Sequence, residues 1–381
     1  MIKTRMLKKV AGYLLGLAVI ATVFLFIPNQ EKEYTETPVL KDLSHHPVYS
    51  TYRFSPPKGV VRIGIQPFWV YVANIMEAMR RDRILAQELA ELGLRAEYYS
   101  FLNGPDINFF MRKGQIDMGL SGYIPTLQIA SEHDILIPAS LDRSFYNLVA
   151  RDVYSIQQLE GKQIGTPFGT DPHHAIFDAL ASTNTSATLI PMDGAKIIEA
   201  MQNERIDAAM TWEPITSALL KQNNNLSVVF RSRWVSFLYF DRKFASANPR
   251  GIQAFLSALI RAINWLNADS DNFIISSNWA IETCLALSPD FKISRKDFVS
   301  QAQAAREMAG KPIIYHSELA DGGLLYSGFH FLKNDQKIPT SIEWKDVLAR
   351  FDKNLVAQII VNPLKWRLNE FDYEGTGGGH E

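Results

Sequence analysis

Apolar runs of strand length alternate along the chain with segments whose apolar residues recur at helical spacing. The predicted strands are Val60–Ile65, Arg95–Tyr99, Ile116–Leu120, Gln163–Thr166, Ala187–Ile190 and Ile206–Met210. The predicted helices run from Tyr71 to Leu92, where Gly93 ends the pattern, and begin at Pro105, Pro172 and Ala195. Strands that alternate with helices predict an α/β fold with parallel sheets. A later helix over Pro249–Asn267 carries an apolar stripe that we expect to lie in the core.

The first thirty residues have a different character. Four basic residues precede the uncharged run Val10–Ile27, which is just long enough to cross a bilayer as a helix. The basic flank is expected to stay in the cytoplasm, which places the rest of the chain on the outer side of the membrane. A cleaved signal peptide is the alternative, although the run ends at Pro28 without a small-residue cleavage site. We therefore predict an N-terminal transmembrane anchor over 1–30 and a tether over 31–59.

Composition narrows the possible functions. The 381 residues are 47% hydrophobic, which suits about two globular domains. A formal charge of −1 gives no basic excess for a nucleic-acid partner, and the single cysteine, Cys284, excludes an intramolecular disulfide or a cysteine-rich zinc site. The sequence also lacks the nucleophile-elbow, zinc-protease and phosphate-loop motifs. We therefore predict neither an enzyme nor a metal or cofactor site.

Two segments of the chain echo each other. Met111–Pro125 and Met201–Pro214 each carry a methionine, an Ile-Asp pair at the same offset and a proline near the end. One interpretation is a chance likeness between two α/β units. The other is two similar lobes, each presenting the loop after a strand to one shared cleft, because open α/β sheets bind ligands at the carboxyl ends of their strands.

Three motifs in order resemble those of one protein family. The first matches "G-x-I-D-x-G" and "G-x-x-P" through Gly114, Ile116, Asp117, Gly119, Gly122 and Pro125. Leu159–Thr170 matches "L-x-G-K-x-I-G-x-P-x-G-[ST]", and Ile206–Pro214 matches "I-D-A-x-x-x-W-E-P". Over about Val60–Leu266 the chain therefore resembles the extracytoplasmic solute-binding proteins of ABC importers. The resemblance is to the branch for nitrate, sulfonates, taurine and thiamine-precursor pyrimidines, although the usual lipobox cysteine is missing.

The resemblance implies a two-lobed periplasmic-binding-protein fold of type II, in which each lobe has a mixed, mainly parallel sheet flanked by helices. Lobe 1 would comprise residues 60–147 and 237–370, lobe 2 residues 148–236, and 371–381 a flexible tail. The implied partners are a small-molecule ligand, an ABC permease with its ATPase, and the membrane through the N-terminal helix. We expect a small anion such as a sulfonate, taurine or nitrate in the interlobe cleft. A pyrimidine in the same cleft, or a membrane-tethered ligand sensor, is the alternative.

The loop before the helix at Pro172 is the first candidate binding site. A helix start offers free N–H groups and a positive dipole end, which suits an anion. Gly169 would let the backbone approach a ligand, Thr170 adds a hydroxyl, and Asp171 and His173 are further candidates. Alternatively, Asp171 caps its own helix and the histidines His173 and His174 lie at the surface. Asp171 suits an anion poorly, which keeps a neutral or cationic ligand open.

The other candidates come after predicted strands or at a helix start: Gln66, Phe68, Trp69, Asn103, Gly104, Ser121, Gly122, Tyr123, Trp212 and Glu213. Trp69 and Trp212 could each pack on a ligand or in the core. Tyr123 is a candidate hydrogen-bond donor to the cleft. Glu213 could pair with an amino-bearing ring, with a basic residue of the other lobe or with an importer surface.

Overall fold

The computed structural model describes residues 42–222, 225–291 and 293–375. Residues 42–46 form a separate short unit, a 3-10 turn over Leu43–His45 in which Asp42 accepts a hydrogen bond from the Ser44 N–H. Pro47 begins the larger unit, which contains the sheet. The predicted anchor over 1–30, the tether as far as residue 41, and residues 376–381 lie outside the described residues. Within the described ranges, none of the helices is long and apolar enough to cross a membrane.

The described strands form one eight-stranded sheet in the order β2-β1-β3-β8-β4-β7-β5-β6. Their bounds are β1 Val60–Ile65, β2 Arg95–Ser100, β3 Met118–Gly122, β4 Ile135–Arg151, β5 Gln163–Thr166, β6 Thr188–Pro191, β7 Ala208–Thr211 and β8 Leu226–Asp241. At one end of the sheet β1 runs parallel to β2 and β3, and at the other end β5 runs parallel to β6 and β7. We call β1–β3 with their intervening helices the first half and β5–β7 with theirs the second half.

The long strands β4 and β8 join the two halves. They contain 17 and 16 residues and pair antiparallel along most of their length. β8 also pairs with β3 of the first half, and β4 pairs with β7 of the second. The expected mixed sheet flanked by helices is present. It is one continuous sheet rather than one sheet in each lobe, because the antiparallel strands β4 and β8 join the two halves.

Helices flank the sheet and follow most strands, as the sequence predicts. Those of the first half are α1 Val72–Arg81, α2 Arg83–Glu91, α3 Gly104–Arg112 and α4 Tyr123–Glu132. Those of the second half are α5 Asp171–Ser182, α6 Gly194–Gln202 and α7 Ile215–Gln222. After β8 come α8 Arg242–Ala247, α9 Pro249–Ala268, α10 Ser270–Leu287, α11 Arg295–Ala309, α12 Leu324–Asn334, α13 Trp344–Leu348 and α14 Leu355–Ile360. The apolar stripe predicted for α9 is buried, which confirms its place in the core.

The single helix predicted from Tyr71 to Leu92 is two helices. Asp82 has an extended backbone between α1 and α2, and its carboxylate accepts the N–H groups of Ile84 and Leu85 at 2.9 and 3.1 Å. The same carboxylate accepts Nε of the fully buried Arg261 at 2.7 Å. Asp82 therefore serves both as the N-cap of α2 and as the carboxylate partner that the buried Arg261 guanidinium requires.

The two echoing segments have the same local structure. Asp117 accepts the Arg62 N–H of β1 at 2.9 Å and donates its own N–H to the Arg62 carbonyl at 2.8 Å. Asp207 accepts the Gln163 N–H of β5 at 2.9 Å and donates to the Gln163 carbonyl at 2.9 Å. Each Ile-Asp pair thus ties the approach to β3 or β7 to the middle strand of its half. The echo is therefore structural rather than a chance likeness.

Both ends of the larger unit pack onto its body. Tyr49 is buried, donates to the Asp106 carboxylate at 2.6 Å and contacts the Phe101 ring at 5.1 Å between centroids. Residues 47–59, placed in the tether by the sequence, therefore begin with a packed segment. Near the other end, Tyr373 is buried and lies 4.5 Å from the Trp265 ring.

Asp117→Ala is expected to lower the free energy of unfolding by about 3–5 kcal/mol, because it leaves the buried Arg62 guanidinium without its carboxylate. The matched change Asp207→Ala removes an ion pair with the half-exposed Lys162 and should cost only about 1 kcal/mol. Urea denaturation of both variants measures the difference. Equal losses would contradict the roles assigned to the two aspartates.

Candidate functional site

A cavity of about 30 Å³ lies at the carboxyl ends of the strands. Its lining residues come from both halves and from the long strands: Gln66, Trp69, Gly104, Gly122, Pro125, Tyr146, Thr170, Asp171, Pro172, Trp212 and Trp234. Open α/β sheets bind ligands at this edge. None of these described lining residues is basic. A larger groove of about 630 Å³ lies beside α2 and β2, and the residues described around it include no predicted site residue.

The predicted site residues divide into two groups. Those in the cavity wall are Gln66, Trp69, Gly104, Gly122, Thr170, Asp171 and Trp212. The others each adjoin a wall residue in the sequence: Phe68, Asn103, Ser121, Tyr123, Gly169, His173 and Glu213. The structure therefore brings the predicted loops together at one place. Contact of any of these side chains with a ligand stays a prediction.

Asp171 is the central polar group of the site. Although it is the first residue of α5, its carboxylate reaches the start of α4 in the first half, where Oδ1 accepts the Ile124 N–H at 2.7 Å and Oδ2 the Tyr123 N–H at 3.0 Å. Oδ2 also accepts the Tyr146 hydroxyl at 2.7 Å. The alternative that Asp171 caps its own helix is thus wrong, because it caps α4. Burial raises the pKa of Asp171 to about 7, and its three donors oppose that rise.

Further hydrogen bonds join the two halves around the cavity. The Tyr123 hydroxyl lies 2.6 Å from Nδ1 of the buried His174. The Asn103 amide donates to the Asp193 carboxylate at 3.0 Å. These contacts hold the starts of α3 and α4 against those of α6 and α5. Tyr123 and Asn103 therefore act between the halves, in addition to any contact with a ligand.

The cavity has an aromatic wall. Trp234 lies between Trp69 and Tyr146, with ring centroids 4.6 and 5.0 Å apart. The Trp212 ring stands edge-on to Tyr146 at 6.5 Å, and its indole N–H donates across the halves to the Phe68 carbonyl at 3.2 Å. Such a row of rings offers a large apolar surface, and aromatic side chains have few rotamers to choose from. The wall therefore suits a ligand with an apolar or ring-bearing body.

The loop before α5 is organised by its own contacts. The Thr170 hydroxyl donates to the Pro167 carbonyl, and the Gly169 N–H donates to Nδ1 of His173 at 3.4 Å. The His173 ring stacks on Phe168 at 4.2 Å, so this histidine is not a free surface group. Burial and the neighbouring His174 lower the pKa of His173 to about 4. At neutral pH its imidazole therefore supplies hydrogen bonds but no positive charge to the site.

The remaining predicted residues support the loops. The Gln66 amide donates to the Leu120 carbonyl at 2.9 Å, and the Ser121 hydroxyl is 2.9 Å from that of Thr126. Glu213 accepts the Ser217 N–H at 3.1 Å, and burial raises the pKa of its carboxyl group. These bonds fix the loop after β3 and the start of α7. Phe68 packs edge-on against Phe291.

Sequence reasoning missed four wall residues: Pro125, Tyr146, Pro172 and Trp234. Pro125 and Pro172 lie in the first turns of α4 and α5, beside residues that the sequence did predict for the site. Tyr146 and Trp234 lie in the middle of the long strands β4 and β8 rather than at strand ends. The available signal was the enrichment of aromatic and branched apolar residues around 135–151 and 226–241, which is typical of strands.

Comparison with known proteins confirms the resemblance carried by the sequence motifs. The family model described as NMT1/THI5 like matches residues 84–272. The taurine-binding periplasmic protein of Escherichia coli (strain K12) is 24% identical over 184 residues. That match covers 45% of this chain and 58% of the relative, so the chain spans less than two thirds of the relative's length.

Solved structures share the fold. The alkanesulfonate-binding protein from Xanthomonas axonopodis pv. citri, bound to MOPS, superposes with a TM-score of 0.61 at 19% identity, over 78% of this chain and 99% of that one. The periplasmic nitrate-binding protein from Synechocystis PCC 6803 has a TM-score of 0.60 at 13% identity, over 82% and 91% of the two chains. Likenesses at this identity establish the α/β periplasmic-binding-protein fold. The relatives named here are binding proteins rather than enzymes.

The buried acids predict an unusual dependence of stability on pH. The pKa of Asp171 rises to about 7 from an ordinary 3.8, so the folded protein keeps a proton that the unfolded chain releases. Burial does the same to Asp142 and Asp106. Their contributions to stability are present at low pH and are lost as the pH rises from about 4 to about 7.

Asp171→Asn removes one of these groups. The decline of unfolding free energy with pH should become shallower by about 1.4 kcal/mol per pH unit between about pH 4.5 and 6.5. Urea denaturation across this range compares the variant with the unaltered chain. A slope that does not change would show that Asp171 titrates near its ordinary pKa.

Proposed function

We propose that the chain is the extracytoplasmic solute-binding component of an ABC importer and that it holds its solute in the cavity at the strand ends. The observation that carries this proposal is the meeting of five strand-end loops from two similar halves at one cavity. The family likeness and the shared fold support it. Binding without chemical conversion fits a wall in which the polar side chains already engage one another.

The two halves would act as lobes that close on the solute. In this proposal lobe 1 is 60–147 with 237–370, lobe 2 is 148–236, and β4 and β8 are the connections that flex. A solute that touches both lobes binds better when they are closed, and this differential affinity shifts the population towards the closed form. The closed form would then dock on a permease driven by its ATPase.

Two solute classes have support. A small anion such as a sulfonate, taurine or nitrate is favoured by the helix start at Thr170 and by the names of the relatives. An amino-bearing ring such as a pyrimidine is favoured by Trp69, Trp212 and Trp234 together with the Asp171 carboxylate. The aromatic wall favours an organic body in either class, because its rings offer apolar surface to pack against. The cavity of about 30 Å³ has room for about one water molecule, so the lobes would have to part to admit such a solute.

The proposed location is the outer side of the cytoplasmic membrane, with the basic, apolar segment 1–30 as anchor. An anchored binding protein could also pass ligand occupancy to a signalling partner. Genes for a permease and an ATPase beside the gene for this chain would support transport. A neighbouring kinase or cyclase gene would support the sensor instead.

A thermal-shift screen tests the binding function. The panel contains taurine, alkyl and aromatic sulfonates, nitrate, bicarbonate, carboxylates and pyrimidines. A solute at a hundred times its Kd should stabilise the chain by about 2.7 kcal/mol, which gives a readable shift. If no compound of the panel raises the thermal midpoint, the proposal is contradicted for these solute classes.

Trp212→Ala and Thr170→Val are each expected to lower the affinity for the solute found in that screen by about tenfold or more, because each alters the cavity wall. Isothermal titration calorimetry measures the affinities, with Trp366→Ala as a matched tryptophan control away from the wall. Affinities that remain equal in all three variants would place the solute elsewhere.

A further inference from the structure

The start of α4 has the features of an oxyanion seat. Tyr123 and Ile124 provide N–H groups that the first turn of a helix leaves without a helical partner, and Pro125 has no N–H. The Tyr146 hydroxyl adds a third donor from β4. We define the seat as Gly122, Tyr123, Ile124 and Tyr146. Two N–H groups, a hydroxyl and a helix dipole together suit a carboxylate, sulfonate or phosphate oxygen pair.

Gly122 provides the space for the anion. A Cβ at this position would lie 2.0 Å from Oδ2 and 2.5 Å from Cγ of Asp171, so a side chain larger than hydrogen would expel the carboxylate. The φ of Gly122 is −61°, which any residue adopts. Glycine is therefore required here for the close approach of an anion and not for backbone conformation.

The occupant of the seat is a side chain of the protein itself. The Asp171 carboxylate receives all three donors, is 1% exposed and comes from the opposite half. It also lines the cavity, so the seat and the cavity are continuous. An incoming oxyanion would have to displace this buried carboxyl group from the three donors.

The cavity keeps another donor available. The indole N–H of Trp234 belongs to a side chain that is more than nine-tenths buried, and it has no hydrogen-bond partner in the part of the chain that the structure describes. The indole N–H of Trp69, in contrast, faces the buried Asp142 carboxyl group. Both rings line the cavity beside Asp171. A solute can therefore place an acceptor near the rings while presenting a neutral or cationic group to the filled seat.

We infer that Asp171 is the specificity-determining residue of this cavity, because its carboxylate fills the oxyanion seat on α4 and selects against solutes that need that seat. This inference rests on the proposed function and refines its solute class. The protein takes solutes whose group at the seat is neutral or cationic, such as an amine or a ring amino group. Removing the carboxylate should convert the cavity into a site for small oxyanions.

The test is a gain of function in Asp171→Ala. Formate, acetate and methanesulfonate serve as probes, because each has the oxygen pair that the seat accepts. Isothermal titration calorimetry is expected to show binding at least about tenfold tighter in the variant than in the unaltered chain. The same anions should raise the thermal midpoint of the variant and leave that of the unaltered chain unchanged.

Three further variants control the experiment. Asp193→Ala removes another carboxylate that joins the halves, through Asn103. The Asp193 carboxylate accepts no N–H group of the helix that it precedes, so this variant should gain no anion binding. Asp171→Asn keeps the seat filled and should also gain none. Asp171→Ser empties most of the seat but keeps one hydroxyl acceptor for the N–H groups of α4. It replaces Asp171→Ala in the same experiment if Asp171→Ala does not fold.

The outcomes separate this inference from the proposed function. The inference is overturned if Asp171→Ala or Asp171→Ser folds but binds the anions no better than the unaltered chain. This holds even if the solute screen succeeds. Methanesulfonate that binds the unaltered chain as tightly as the variant also overturns it. Anion binding gained only by the emptied variants supports the inference, whether or not the screen identifies a solute.

Discussion

The structure around the cavity depends on one carboxylate held between two helix starts. Asp171 belongs to α5 of the second half, yet its oxygens satisfy the two free N–H groups at the start of α4 in the first half. Burying an ionisable group is costly, and three donors and a helix dipole that converge on Asp171 offset only part of this cost, since burial still raises its pKa. The absence of a side chain at Gly122 makes this arrangement sterically possible.

The same interaction explains the character of the site. Tyr146 reaches Asp171 from β4 and stacks on Trp234 of β8, so the aromatic wall is tied to the carboxylate. The two long strands that connect the halves therefore also carry part of the cavity wall. The cavity is thus a property of both halves rather than of either one.

The sequence predicted much of the fold because its signals are local. Gly93, Pro105 and the apolar runs mark helix and strand limits that the structure reproduces within a few residues. The break at Asp82 was missed because the apolar periodicity was interpreted as one helix across it, although an aspartate before Ile84 and Leu85 is a local N-cap signal. The role of Asp171 was missed because capping a helix about fifty residues earlier leaves no trace in the local pattern. Tyr146 and Trp234 could not be predicted as wall residues because they lie inside long strands, and their place at the cavity depends on the pairing of β4 with β8.

Amide hydrogen exchange at Tyr123 and Ile124 tests the central claim most directly. If the Asp171 carboxylate holds these two N–H groups, they exchange slowly in the unaltered chain and become fast in Asp171→Ala, while Asp193→Ala leaves them slow. Fast exchange of both amides in the unaltered chain, or equal rates in the two variants, would contradict the account.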